Sequence, residues 1–146
     1  MTGDRPLHIL LVDDEPMVLR ALARLLQRAG HTVLTAPDGE AAARLLEVED
    51  PDLVLCDVRM PVLDGPGLLR RLRARGDGRP LVFLTGYADT PDAQLVELGA
   101  QAVASKPITR DDLLAVIARW ARPSSPSLPA ADADADPRRA GGTLAS

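Results

Sequence analysis

The chain has 146 residues, of which 46% are hydrophobic, 26% charged and only 2% aromatic, which suits one domain with an aliphatic core. A single cysteine, Cys56, excludes an internal disulfide framework and a zinc site made of several cysteines. The formal net charge of −4 argues against a broad nucleic-acid-binding surface. No apolar run is long enough to span a membrane, and residues 1–7 lack the apolar region of a signal peptide, so we expect a soluble, cytoplasmic protein.

Short apolar runs alternate with amphipathic segments in the first part of the chain. Residues 7–12 form an apolar run that predicts a strand buried on both faces. Leucines at steps of three and four then predict a helix from about Pro16 to Gly30. Residues 31–36 predict a second strand, and the Ala and Leu residues of 41–46 predict a second helix.

The same alternation continues to about residue 120. Further strands are predicted at residues 53–56, 81–84 and 101–105. Each precedes a helical pattern, carried by residues 68–72, 95–98 and 113–120. Thr90 and Thr109 are the predicted N-caps of the last two helices. Five strand–helix units predict an α/β fold with a parallel sheet and helices on both of its faces.

The composition changes at Pro123. Residues 123–146 contain Pro-Ser repeats, Ala-Asp alternation and paired glycines, and they show no apolar periodicity. Such a segment buries too little apolar surface to offset the entropy of ordering it. We therefore predict a domain over residues 1–122 and a disordered tail or linker over residues 123–146.

Polar residues follow the predicted strands at the points where those strands end. Asp13 and Asp14 follow the first strand, Asp57 the third, Thr85 the fourth and Lys106 the fifth. Ligands of open parallel sheets bind beyond the carboxyl ends of the strands, so neighbouring first and third strands would bring three carboxylates together. Carboxylates this close repel each other unless a cation is present, and Mg²⁺ suits a set of oxygen ligands. Carboxylates, Mg²⁺, a hydroxyl and a lysine are the groups that phosphoryl transfer requires.

Each of these residues also has an ordinary structural interpretation. An aspartate after a strand is often a helix cap or turn former, and Thr85 alone is a typical strand residue. Lys106 is different, because the chain has sixteen arginines and this one lysine, which indicates a position that requires a compact ammonium. Cys56 is most simply a buried apolar residue. His8 and His31 lie at strand starts, away from the carboxyl ends of the strands where the polar residues lie.

Four motifs occur in chain order at these strand ends. They are Val12-Asp13-Asp14-Glu15, Asp57-Val58-Arg59-Met60-Pro61 with Asp64-Gly65, Thr85-Gly86, and Gly99-Ala100 followed by Lys106-Pro107. On these motifs, residues 6 to about 122 resemble the receiver domains of response regulators in two-component signalling. Each motif alone is weak, whereas all of them in order, each at its own strand end, are highly specific.

The resemblance implies a flavodoxin-like (βα)5 doubly wound fold with strand order 2-1-3-4-5. It implies that Asp57 accepts a phosphoryl group from a sensor histidine kinase or a histidine phosphotransfer protein. Asp14, Asp57 and the backbone carbonyl of Arg59 would hold Mg²⁺, with Asp13 assisting partly through water. Thr85 and Lys106 would each contact a phosphoryl oxygen.

The resemblance also identifies residues at the periphery of the active site. The peptide bond between Lys106 and Pro107 is typically cis in this family. Val103 stands at the strand position that usually carries an aromatic switch residue. Gly86 follows the hydroxyl residue, and Arg59 and Tyr87 lie two residues beyond the phosphorylated aspartate and the hydroxyl residue.

Several functions fit this pattern to different degrees. The leading one is a phosphorylation-controlled binding module, not an enzyme beyond its own phosphorylation and dephosphorylation, which acts on a downstream protein effector without direct DNA binding. An alternative is a receiver cut from a larger hybrid kinase or multidomain regulator. A distant alternative is an Asp-nucleophile phosphohydrolase. That class needs an Asp-x-Asp motif after the first strand, whereas Asp13 and Asp14 are adjacent here. A flavin-binding flavodoxin would need a Ser/Thr/Gly phosphate-binding loop after the first strand, and the acidic residues Asp13, Asp14 and Glu15 stand there instead.

Overall fold

A computed structural model describes residues 6–86 and 92–121 of the chain. Its strands are β1 (His8–Val12), β2 (Thr32–Ala36), β3 (Leu53–Asp57), β4 (Leu81–Thr85) and β5 (Ala102–Ser105). Its helices are α1 (Pro16–Arg28), α2 (Gly39–Leu45), α3 (Gly65–Ala74), α4 (Asp92–Glu97) and α5 (Arg110–Trp120). The strands are all parallel and lie in the order β2-β1-β3-β4-β5. The predicted doubly wound α/β fold and its strand order are confirmed.

The core consists of two apolar layers, one on each face of the sheet. Leu10, Val54 and Phe83 belong to the layer covered by α2, α3 and α4. Ile9 and Leu55 belong to the layer covered by α1 and α5. Successive strand residues point to opposite faces, so a strand buried on both faces must be apolar throughout. This is why the central strands are continuous apolar runs in the sequence.

Side-chain caps begin three of the helices. Asp38, Asp64 and Thr109 each accept a hydrogen bond from the backbone N–H three residues later, at 2.8, 2.8 and 3.0 Å. Each cap satisfies a helix N–H that has no partner within the helix, which typically contributes about 1 kcal/mol. The predicted cap at Thr109 is confirmed, whereas Thr90 lies outside the described residues.

Both histidines lie at the edge where the strands begin. The ring Nδ1 of His31 accepts the backbone N–H of Leu7 at 3.1 Å. The backbone N–H of His8 donates to a carboxylate oxygen of the buried Asp52 at 2.9 Å. These contacts hold the start of β1, and both histidines lie away from the predicted site residues, as expected.

The strand register brings the polar residues to one level at the opposite edge. Val12 pairs with Cys56 across β1 and β3, so the next residue of each strand, Asp13 and Asp57, follows at the same height. Across β4 and β5, Thr85 pairs with Ser105, the residue that precedes the lysine. The carboxyl edge of the sheet therefore collects the predicted site residues.

A glycine lets the loop after β3 pack closely against that edge. An added Cβ at Gly65 would overlap the carbonyl oxygen of Asp57 and would lie 2.6 Å from the ring of Phe83. The backbone N–H of Gly65 also donates to the carbonyl oxygen of Val58 at 2.9 Å. The start of α3 is thus fixed directly beside Asp57, at a distance that only a residue without a side chain permits.

Within residues 6–86 and 92–121, no helix is long and apolar enough to cross a bilayer. The proposed tail, residues 123–146, and Tyr87 lie outside these ranges. The division into a domain over 1–122 and a tail therefore stays a prediction.

Candidate functional site

A single ammonium group joins two buried carboxylates at the carboxyl edge of the sheet. Lys106 Nζ donates hydrogen bonds to Asp13 Oδ2 at 2.8 Å and to Asp57 Oδ2 at 3.1 Å. The side chains of both aspartates are 5% exposed, and that of Lys106 is 21% exposed. A compact ammonium with three donors fits between two carboxylates, which a planar guanidinium would not do as well. This gives a physical reason for the chain's one lysine.

Backbone amides hold the remaining oxygens of the same two carboxylates. The N–H of Glu15 donates to Asp13 Oδ1 at 3.0 Å. The N–H of Val58 donates to Asp57 Oδ1 at 2.8 Å. Because both oxygens of each buried carboxylate accept a hydrogen bond, the two side chains are oriented and their hydrogen-bonding capacity is satisfied despite burial.

Opposing effects shift the pKa values of Asp57 and Lys106. Burial raises the pKa of Asp57 above its usual value, and the charge of Asp13 adds to that rise. The hydrogen bond and charge of Lys106 act in the opposite direction and favour the ionised carboxylate. Burial alone would lower the pKa of Lys106, but its hydrogen bonds and attraction to Asp13 and Asp57 raise the pKa overall. The lysine is therefore held as a cation beside the carboxylate of Asp57.

Cys56 lies beside this pair without taking part in it. Burial, followed by the charges of Asp57 and Asp13, raises the pKa of the Cys56 thiol well above its ordinary value. Its Sγ donates to the carbonyl oxygen of Asp57 at 3.1 Å. A buried, protonated thiol is unreactive, so the expected role as a small apolar residue agrees with the structure.

Three carboxylates are placed to hold one cation. Oxygens of Asp13, Asp14 and Asp57 lie within 4.8 Å of one another. Around a six-coordinate Mg²⁺ the ligand oxygens are about 3–4 Å apart, so small side-chain rotations would bring these three onto a single ion. Asp14 is exposed, which leaves room for the waters that Mg²⁺ retains. The donor set consists of oxygens only and fits a hard divalent cation.

An open cleft of about 620 Å³ lies over these carboxylates. Its walls include the predicted site residues Asp14, Asp57, Arg59, Gly86 and Lys106. The side chain of Arg59 is exposed, so it overlooks the cleft from the loop that follows β3. A small anionic group entering the cleft would meet the ammonium of Lys106 and the guanidinium of Arg59 as well as the carboxylate of Asp57.

The other predicted residues occupy supporting positions. Thr85 is buried at the end of β4, and its carbonyl oxygen accepts the N–H of Lys106 at 2.9 Å. Pro107 is exposed and follows a cis peptide bond, as the resemblance implied. Val103 is partly buried and packs on the apolar layer under α2, α3 and α4. Tyr87 lies outside the described residues.

Three residues that line the cleft were not among the predicted site residues. They are Glu15, Met60 and Asp64. All three stand inside the motifs quoted above, so membership of a motif could have identified them as residues near the site. Asp64 also caps α3. It therefore has a structural role that patterning alone cannot separate from a role in the cleft.

Comparison with protein families gives a match over most of the described chain. The model of the response regulator receiver domain family matches residues 9–118. The transcriptional regulatory protein GlrR of Escherichia coli is 35% identical over 124 residues, which cover 84% of this chain and 28% of GlrR. The alkaline phosphatase synthesis transcriptional regulatory protein PhoP of Bacillus subtilis is 36% identical over 125 residues, covering 85% of this chain and 52% of PhoP. The chain thus spans from about a quarter to a half of these relatives.

Solved structures of similar fold include receiver domains from different kinds of protein. The receiver domain of a sensor histidine kinase from Pseudomonas aeruginosa is 33% identical, with a TM-score of 0.72, covering 80% of this chain and 98% of that domain. In that structure a magnesium ion is coordinated in the active site cleft. A CheY-like receiver domain protein from Methanospirillum hungatei is 28% identical, with a TM-score of 0.73, covering 79% of this chain and 93% of that one.

Proposed function

The chain belongs to the response regulator receiver family, and from that premise we propose that Asp57 accepts a phosphoryl group from phosphohistidine and thereby switches binding to a partner. The observation that carries the proposal is the contact of Lys106 with two buried aspartates, of which Asp57 lines an open cleft together with the lysine. Receiver domains pair with histidine kinases, so the proposed donor is a sensor histidine kinase or a histidine phosphotransfer protein. These domains are not enzymes in the usual sense, because the modified group is their own side chain.

Asp57 is the proposed nucleophile. It ends β3, lines the cleft and is oriented by the N–H of Val58. Nucleophilic attack requires the carboxylate form, and Lys106 opposes the rise of the Asp57 pKa that burial causes. After transfer, the ammonium would neutralise an oxygen of the phosphoryl group in place of one carboxylate charge. We assign Thr85 to a further phosphoryl oxygen because it ends the strand next to β3.

Mg²⁺ is the proposed cofactor, with Asp13, Asp14, Asp57 and the backbone carbonyl of Arg59 as its ligands. When bound, it supplies positive charge that lowers the repulsion between the carboxylates and the incoming phosphoryl oxygens. The close approach of the three carboxylates supports this set. The magnesium reported in the related receiver domain supports the same place in the fold.

The partner that reads the phosphorylated state is proposed to be a protein. GlrR and PhoP are transcriptional regulators, of which this chain covers 28% and 52%. The similar receiver domain from Pseudomonas aeruginosa is part of a histidine kinase. Receivers thus serve more than one kind of output, and our proposal for this chain is limited to phosphorylation-dependent binding of a downstream effector.

The test is phosphorylation by a small donor, acetyl phosphate, followed by intact-protein mass spectrometry. We expect the wild-type protein to gain one phosphoryl group in the presence of Mg²⁺ and none in the presence of a chelator. Asp57→Asn should gain none, because an amide is not a comparable nucleophile. Asp111→Asn is the matched control, since its carboxylate is 93% exposed on α5, and it should be labelled like wild type. Labelling of Asp57→Asn at the wild-type rate would refute the assignment.

A further inference from the structure

The outer face of α1 carries three arginines between its second turn and its end. Arg20, Arg24 and Arg28 recur at steps of four, so they form one row on the side of the helix away from the core, and all three are exposed. Met17 continues this face toward the site and is 75% exposed. No acidic residue occurs in α1. We call Arg20, Arg24 and Arg28 the α1 arginine row.

These three arginines differ from most others in the described part of the chain. On α3, Arg71 pairs with Glu40 at 2.7 Å and Arg75 with Glu47 at 3.7 Å, while Arg73 donates to two backbone carbonyl oxygens. Among the described residues, no hydrogen bond or ion pair reaches the α1 arginine row. Three adjacent unpaired cations in a chain of net charge −4 indicate a surface that binds an acidic segment.

The chain contains an acidic segment with matching spacing. Asp132, Asp134 and Asp136 alternate with alanine. In an extended chain such residues project from one side, about 6.6 Å apart. Residues four apart on a helix advance by about 6 Å, so the α1 arginine row has nearly the same spacing. Three carboxylates can therefore face three guanidinium groups in register.

The segment can also reach this face. Trp120 and Ala121 at the end of α5 pack on the same apolar layer as the leucines of α1. Both helices run back toward the edge where the strands begin, so Arg28, in the last turn of α1, lies toward the same edge as the end of α5. Ten residues lie between Ala121 and Asp132, and the eleven residue-to-residue steps span at most about 36 Å, whereas α1 is about 20 Å long.

We propose that residues 132–136 bind in extended form along the α1 arginine row of the same molecule, with Asp132 near Arg28 and Asp136 near Arg20. This direction carries the next charged residues, Arg138 and Arg139, past the start of α1. Glu15 is exposed there and lines the cleft. The order of charges in the tail, three negative and then two positive, thus complements the order along α1 and the site.

The proposed contact between residues 132–136 and the α1 arginine row depends on charge alone, which determines its strength and its salt dependence. One exposed ion pair favours an association by about two- to fivefold, so three pairs together favour it by about tenfold or more. Tethering to the same chain raises the effective concentration of the segment without adding contacts. The screening length falls from about 10 Å at 0.1 M salt to about 3 Å at 1 M, so the contact should be lost in high salt.

The test is paramagnetic relaxation enhancement in the full chain. An Ala135→Cys variant carries a nitroxide at the new cysteine, while Cys56 is buried and protected from the label. We expect the amide signals of residues 20–28 to broaden at low salt, with no comparable effect around Arg70 on α3. The broadening should disappear in 1 M salt and when Asp132, Asp134 and Asp136 are replaced by Asn. Broadening that persists in the triple Asn variant, or that spreads evenly over the surface, would overturn the proposal.

Matched substitutions test whether the contact needs the α1 arginine row or only an exposed arginine elsewhere on the surface. Replacing Arg20, Arg24 and Arg28 with Gln should abolish the broadening, whereas Arg70→Gln, at another exposed arginine without a described partner, should leave it unchanged. If the helix variant does not fold, the tail variants still decide, because they leave α1 intact. An intact domain is checked from the dispersion of the amide spectrum.

A mixing experiment distinguishes the same molecule from a second copy. Isotope-labelled protein without nitroxide is mixed with unlabelled protein that carries it. We expect no broadening of the α1 signals in the mixture, because the segment of each molecule occupies its own helix. Broadening equal to that of the single-molecule sample would overturn the intramolecular assignment. Neither outcome depends on whether Asp57 is phosphorylated, so a failure here is distinct from a failure of the proposed function.

Discussion

Replacing Lys106 with Met should destabilise the metal-free protein at neutral pH. The substitution keeps most of the side-chain length and removes the cation between two carboxylates that are each 5% exposed. Breaking a fully buried pair typically costs about 3–5 kcal/mol, because a buried charge is left without its partner. The lysine side chain is 21% exposed, so water offsets part of this, and we expect a loss of about 2–3 kcal/mol.

The pH dependence of this loss follows from the pKa shifts. The raised pKa of Lys106 means that its pairing stabilises the fold below the ordinary lysine value of 10.5, and that this contribution is lost as pH rises through the folded pKa. The raised pKa of Asp57 means that its charge costs stability at neutral pH, and that this cost is relieved as pH falls through the folded pKa. Without the lysine, the pKa of Asp57 rises further. The difference between the two proteins should therefore shrink as pH falls.

The measurement is thermal unfolding of wild type and Lys106→Met in chelator at neutral and mildly acidic pH. A loss of about 2–3 kcal/mol corresponds to a melting temperature lower by roughly 8–12 °C for a domain of this size. Arg70→Met is the control for removal of an exposed cation, and it should change stability by less than about 0.5 kcal/mol. Equal melting temperatures at neutral pH, or a difference that stays constant on acidification, would refute the reasoning.

Three further predictions concern the metal site, the loop after β3 and the tail. Asp14→Asn removes one repelling charge and one metal ligand, so thermal unfolding should show it more stable than wild type in chelator. It should also gain less than the roughly 2.7 kcal/mol that a hundredfold excess of Mg²⁺ over Kd gives wild type; the opposite order would contradict a shared site. Gly65→Ala should lose about 1–3 kcal/mol in denaturant unfolding, because its Cβ overlaps the carbonyl of Asp57, and an unchanged midpoint would show that the loop can move away. In 1 M salt, where the proposed contact with α1 is screened, deleting residues 123–146 should leave the melting temperature nearly unchanged, and a clear decrease there would mean that the tail packs on the domain through apolar contacts.

Most of the fold could be predicted from local patterns. A strand buried on both faces must be apolar along its length, so β1, β3 and β4 are visible as short apolar runs. The caps follow the same logic, since Thr109 precedes an apolar stripe and accepts the N–H of the residue three positions on. The capping role of Asp64 was not predicted, although Asp64 precedes the apolar residues of α3 much as Thr109 precedes those of α5.

The candidate site was predicted only as a set of strand ends. Asp13, Asp57 and Lys106 could be assigned to one edge because parallel strands share a carboxyl edge. Lys106 lies 93 residues from Asp13 and 49 residues from Asp57 along the chain, so no local pattern indicates which carboxylate the lysine contacts. The expectation of mutual repulsion among the aspartates was therefore incomplete, because it did not include a cation bonded to two of them.

The sequence by itself determined the kind of structure and the chemical inventory of the site. Apolar runs place the strands, turn and cap residues separate them, and the polar residues that follow each strand supply carboxylates, a hydroxyl and one ammonium. The tertiary structure decided which of these groups meet. The register of β1 against β3 brings Asp13 and Asp57 level, and the parallel sheet places the end of β5 at the same edge, from which the side chain of Lys106 reaches both carboxylates. The physical reason is that periodicity and propensity act between neighbours in the chain, whereas hydrogen bonds and charge interactions act across a few ångströms between residues that only the packed sheet brings together.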